Sequence, residues 1–405
     1  MNPEETFRVR AARCLAFGSA VAILFSIAAS QILLGLALAA LMLSGEKLRM
    51  PRIWLPLSLF ILGTLVALAF SPDPAAGLPQ IRKMFLFTEL LIVFSLLRST
   101  LWIRSLFLTW AGFASITAAR GIVQFVQKVQ AAHVAGSDSY SFYVGERITG
   151  FMSHWNTFSA QEMFALTMIL SFLFFAPVAR KRLWVWIACT ALMAAALLLA
   201  ETRAVWIGMA LASLYLVWFW RKWLVALAPI AGLLFYVVSP PVIRARIDSL
   251  FHPRAVDSNE FRIITWRTGL HMVEAHPLLG LGPEEPRIQF DQWVPADIPR
   301  PLPVGSYIHL HNLYLQYAAE RGIPTMLFMM WMLGQIVYDY WRGLRSLPPG
   351  PSNRRFLLHG GIAVILATLA EGIAEYNLGD SEVLTMFLVV VSCGYLALEK
   401  DVVAG

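Results

Sequence analysis

The chain has 405 residues, of which 58% are hydrophobic and 14% charged, with a net charge of +7. Soluble domains carry about 25% charged residues, so this composition excludes a disordered chain, a nucleic-acid-binding domain and a secreted disulfide scaffold. Its three cysteines (Cys14, Cys189 and Cys393) all lie inside apolar runs, which argues against a disulfide framework.

The remaining class is a polytopic membrane protein. A membrane-crossing helix needs about 20 apolar residues, and such runs occur near 14–29, 31–45, 53–71, 84–97, 101–127 and 157–177, then near 183–200, 204–220, 223–239, 312–340, 356–373 and 380–398. That makes twelve expected spans, with 31–45 and 84–97 short enough to be tilted or half-embedded. The first run lacks a small-residue cleavage site and reads as a span, not a signal peptide. An even count puts both termini on one side. Basic clusters at Arg8–Arg13, Lys47–Arg52, Arg180–Arg182, Arg221–Lys222, Arg342–Arg345 and Arg354–Arg355 make that side the cytoplasm. The chain therefore reads as one transmembrane domain, 1–405, with one large outer loop, 240–311, inserted between spans 9 and 10. Seven of the eight histidines (133, 154, 252, 271, 276, 309 and 311) then lie on the outer side.

The outer loop is too long for a plain connection. Asp257 and Glu260 have capping-box spacing, and Ile263, Trp266, Leu270 and Val273 follow on one helical face. We expect an amphipathic helix over 258–276, closed by His276-Pro277 and followed by a turn at Gly280 and Gly282. The proline-rich stretch 283–306 reads as extended chain.

Charged residues inside a membrane are costly and become functional candidates. Arg120 lies inside the fifth span, where it can pair with a buried acid such as Glu162. Arg203 opens the eighth span and Arg147 precedes the sixth; both have the alternative of reaching the interface along their aliphatic stems. The strongest local signal is HLHNLYLQYAAERG at 309–322, a His-Asn pair at the mouth of a span. Ala318, Ala319 and Gly322 there offer a surface for close packing. No Walker A, G-x-G-x-x-G or H-E-x-x-H pattern is present, and Asp380-Ser-Glu382 is only a weak outward acidic pair. No metal and no cofactor are expected.

With HNLYLQYAAERG at 311–322, FRIITWRTGLHMVEAHPLLGLG at 261–282, ETRAVWIG at 201–208 and RITGFMSHWNTFS at 147–159, the chain resembles the O-antigen ligase/O-antigen polymerase superfamily of bacterial envelope glycosyltransferases. The resemblance implies an all-α, GT-C-like membrane fold of about twelve helices in the inner membrane, with a helical periplasmic loop and a periplasmic site. It also implies metal-independent transfer of O-antigen polysaccharide from undecaprenyl diphosphate to a sugar hydroxyl of lipid A–core. Carried over to this sequence, His311 is the catalytic base and Arg203 and Arg262 bind the diphosphate. Arg147, Arg120 and Asn312 are further candidates for substrate contact. None of the outer arginines has glycine eleven residues on, and the sequence ends at Gly405 soon after its last span. Both features favour a ligase over its polymerase and protein-glycosylating relatives. The alternatives are an O-antigen polymerase extending lipid-linked glycan and, from another class, a transporter of lipid-linked saccharide.

Overall fold

The computed structural model describes residues 7–136, 138–249, 251–252 and 259–399. Asp257, and with it the expected capping box, lies outside them. The fold is helical. The first half holds α1 (Phe7–Ala22), α2 (Ile27–Ser44), α3 (Trp54–Ala69), α4 (Leu78–Lys83), α5 (Phe87–Leu96), α6 (Thr100–Val134), α7 (Ser139–Gly145), α8 (Trp155–Phe175) and α9 (Arg180–Leu199). The second half holds α10 (Arg203–Arg221), α11 (Ala228–Val238), α12 (Pro241–Asp248), α13 (Asn259–Ala275), α14 (Glu285–Ile288), α15 (Phe290–Trp293), α16 (Leu313–Ser346), α17 (Asn353–Glu371) and α18 (Ser381–Leu398).

Among the described residues six helical stretches are long and apolar enough to cross a membrane: Ile27–Ser44, Thr100–Val134, Trp155–Phe175, Arg180–Leu199, Arg203–Val238 and Ser381–Leu398. The other expected spans are helical but shorter, more polar or interrupted. The first two expected spans shift by several residues. Their turn falls at 23–26, where the Ser26 side chain caps α2 by accepting from Ala29 N–H. Nothing in the surrounding apolar run marks that point except one serine. The short run 84–97 contains α5, seven of whose ten residues are buried.

Helices α8, α17 and α18 form the centre, with α10, α16, α6 and α9 packed around them. The Trp110 indole ties α6 to the end of α1 through Ala20 O at 2.7 Å. The connections assigned to the cytoplasm meet at one end of the bundle. Arg13 donates to Leu96 O, the Arg49 backbone to Ser95 Oγ and its side chain to Glu399, and Ser352 N–H to Phe175 O. The remaining connections meet at the other end.

Helix α16 is not one straight rod. It breaks at Gly322, where φ is 80°, one residue before Ile323 and two before Pro324. A broken helix inside a membrane protein is tolerated when its freed backbone groups find new partners. Here the turn after α13 supplies them. Leu281 N–H and Gly282 N–H donate to Ala319 O and Glu320 O, and Ile323 N–H donates to Pro277 O at 2.8 Å. A side chain at Gly322 would meet Leu278 O at 2.0 Å, and one at Gly280 would meet the Arg321 backbone at 2.5 Å. The small residues expected to pack closely do so against the outer loop itself.

Two expectations for that loop need correction. The buried face of α13 is Ile264, Thr265, Thr268, Gly269 and Met272, whereas Ile263 and Leu270 are exposed. The reason is Gly269, which lets α13 approach Leu310 and Leu315 closely. Helix packing in membrane proteins favours such small-residue contacts over large apolar ones. The stretch 283–306 is also not simply extended. Glu285 accepts from Ser71 Oγ and Asp73 N–H, and Pro286 sits in the first turn of α14, so one-turn helices α14 and α15 form there.

Candidate active site

Where the cavity-side connections meet, a cavity of about 870 Å³ opens between the start of α8, the start of α13, the strap 304–311 and the segment joining α17 to α18. His311, Arg262 and Arg147 all line it.

His311 takes a left-handed backbone conformation, with φ 47°, which is uncommon for a residue with a side chain. Its neighbours over-determine it. Trp266 Nε1–H donates to His311 O, Leu310 N–H to Gln316 Oε1, and Leu313 N–H to Gly372 O at 2.7 Å. The imidazole thereby projects sideways, off the end of α16. Its Nδ1 lies 3.3 Å from Glu375 Oε2 and its Nε2 lies 3.0 Å from Ser306 O.

Glu375 is the residue that sequence reasoning missed. One of its oxygens faces His311 and the other is paired with Arg262. Burial by itself would raise its pKa, but Arg262 and His311 outweigh burial and hold it at about 2. The available signal was the run of carboxylates Glu371, Glu375 and Asp380 in the connection between the last two expected spans. Arg262 keeps Nε buried without a hydrogen-bond acceptor, an unsatisfied donor of the kind that calls for a ligand. Arg147 lies flat against Trp155, 5.0 Å from the ring centre, and donates Nε–H to Val144 O. Burial, assisted by the nearby Arg246, lowers its pKa to about 9, still charged at neutral pH. His309 and His154 also line the cavity. Burial and then His311 push His309 down to about 3, and burial lowers His154.

The other expected site residues lie elsewhere. Arg203 is buried beside the cavity without lining it, and its terminal nitrogens reach Ser249 and Asn259. It thus clips α10 to the outer loop. Arg120 does not pair with Glu162, which takes the Thr117 hydroxyl instead. It donates to Gly150 O at 2.8 Å and covers the Phe151 ring, because its stem carries the guanidinium out of the core. Asn312 caps α16, accepting from Leu315 N–H and donating to Ile373 O. Metal ligation has one geometric opening among the described residues: ligand atoms of His309, His311 and Glu375 lie within 4.8 Å of one another. The guanidinium of Arg262 already neutralises that carboxylate.

Arginines beside a histidine–carboxylate pair around one cavity suit an anionic group next to a proton-transfer site. Residues 188–330 match the family model described as O-Antigen ligase, so this segment of the chain is similar to that family. That family covers O-antigen ligases and polymerases. A search of the curated proteins gave no match. The matched segment holds Arg203, Arg262 and His311, while Arg147, His154 and Glu375 come to the cavity from outside it.

Proposed function

We propose that the protein is an O-antigen ligase. It moves O-antigen polysaccharide as a block from undecaprenyl diphosphate to a sugar hydroxyl of lipid A–core, at the periplasmic face of the inner membrane. The bundle would then be of the GT-C-like class with about twelve membrane-crossing helices. The observation that carries this reading is the Arg262–Glu375–His311 chain facing a single cavity together with Arg147.

The acceptor hydroxyl replaces the Ser306 carbonyl at His311 Nε2. Glu375 accepts a hydrogen bond from His311 Nδ1–H, which holds the tautomer whose unprotonated Nε2 is the base. As the hydroxyl oxygen attacks the anomeric carbon from the face opposite the diphosphate, its proton passes to Nε2. The bond between the anomeric carbon and the diphosphate oxygen breaks, and undecaprenyl diphosphate leaves with the electron pair. Preorganised cations aimed at developing charge lower the barrier, and a guanidinium stays charged and donates in a fork. Arg262 and Arg147 serve here, and Arg203 supports them by holding the outer loop. The glycan is transferred with inversion, and neither metal nor cofactor takes part.

The test is transfer by the purified full chain from undecaprenyl-diphosphate-linked glycan to lipid A–core. We expect capped lipopolysaccharide from the wild type and a loss of about 10²- to 10⁴-fold in His311→Ala. Elongation of the glycan on its carrier would make the protein a polymerase. Unimpaired transfer by His311→Ala would remove its role as base.

A further inference from the structure

The mechanism above leaves one wall of the cavity unused. His154, Asn156 and Thr157 at the start of α8 face the cavity, as do Asp380 and Glu382 at the start of α18. Thr157 Oγ–H donates to Asp380 Oδ2 at 2.8 Å, and Oδ1 has no donor among the described residues. His154 Nδ1 accepts from Asn156 N–H at 3.2 Å. The imidazole proton therefore sits on Nε2, where it is available as a donor. The ring lies against Trp155, with centroids 4.2 Å apart, and Arg147 covers the same indole at 5.0 Å. Arg147 is more than nine-tenths buried, and its terminal nitrogens meet no acceptor among the described residues.

The cavity is thus two-sided. One side offers guanidinium groups and suits a diphosphate. The other offers carboxylate, amide and hydroxyl acceptors beside an imidazole donor, and its two acids repel an anion. Sugar hydroxyls each donate and accept, and a carboxylate takes them as strong acceptor. A metal cation is a poorer fit, since His154 presents a proton and not a lone pair at Nε2.

We propose that His154, Asn156, Thr157, Asp380 and Glu382 form a subsite for the neutral sugar end of the acceptor, which presents its hydroxyl across the cavity to His311. This rests on the transfer reading above. It assigns these residues to positioning the acceptor and the arginine side to holding the donor.

The test is steady-state transfer by the full chain, with lipid A–core and lipid-linked donor varied separately. Asp380→Asn should raise the KM for lipid A–core about tenfold or more and leave the donor KM unchanged. Thr157→Val should shift the same constant less, and Arg147→Lys should instead raise the donor KM. An unchanged acceptor KM in both wall variants, or an equal rise in both constants, overturns the subsite. Should Asp380→Asn fail to give a monodisperse protein, Thr157→Val decides by the same readout. Calorimetric titration of purified protein with delipidated core oligosaccharide separates this proposal from the activity it rests on. Binding weakened by Thr157→Val or Asp380→Asn supports the subsite even where the wild type transfers nothing. Binding unaffected by either variant overturns it.

Discussion

Two buried arginine–glutamate pairs lie at the cavity end of the bundle, and they differ in what surrounds them. Arg262–Glu375 opens on a cavity of about 870 Å³ and shares its carboxylate with His311. Arg321–Glu320 sits at the break of α16, 3.2 Å apart. Gln316 and Gln80 enclose it, with Tyr317 and Phe60 against the guanidinium. It faces a crevice of only about 30 Å³, room for about one water. A buried ion pair therefore does not mark a reaction site by itself. It becomes one where the pair and an adjacent base share open volume. Elsewhere it holds backbone in place.

Removing the carboxylate from each pair tests that contrast. Glu375→Gln should lower transfer by roughly 10²-fold, because His311 loses the group that orients it and stabilises its protonated form. The folded pKa of Glu375 lies below its ordinary value, so its contribution is present above the ordinary value and fades only as pH falls through about 2. The pH–rate profile between pH 5 and 9 should accordingly carry no inflection from Glu375. Glu320→Ala should act on the fold instead, destabilising it by about 3–5 kcal/mol by stranding Arg321. A thermal melt would show this, with kcat of the surviving folded enzyme near wild type. A large kcat loss there would erase the distinction between the pairs.

Smaller effects sharpen the picture. Asn312→Ala should cost about 1 kcal/mol as a lost helix cap and leave both KM values in place. A selective rise in one would return Asn312 to substrate contact. Treatment with EDTA should leave the rate of transfer unchanged. A loss restored by added divalent metal would assign His309, His311 and Glu375 to an ion.

Much of the frame was legible in the chain. The apolar runs lead to the helices, and the basic clusters sort their connections into two groups that meet at opposite ends. His311 stood out as part of a His-Asn pair at the mouth of an apolar run, and Arg262 only through the family resemblance of its R-x-x-x-W helix. Glu375 did not stand out, since an acid between two spans looks like any interfacial residue until its partners 64 and 113 positions away are known. The face of α13 was misread for a related reason. Periodicity identifies large apolar residues, but Gly269 determines the contact by allowing close approach.

Local physical chemistry thus determined which segments are helical, where the polar residues concentrate and which residue types are equipped for phosphate and proton chemistry. Short-range effects of hydropathy, capping and charge suffice for that. Only the tertiary structure decided that Arg147, Arg262, His311 and Glu375 share one cavity while Arg203, Arg120 and Asn312 hold backbone around it. Arginine has the same charge and reach in each place, and its role depends on whether its guanidinium lines that cavity or packs outside it.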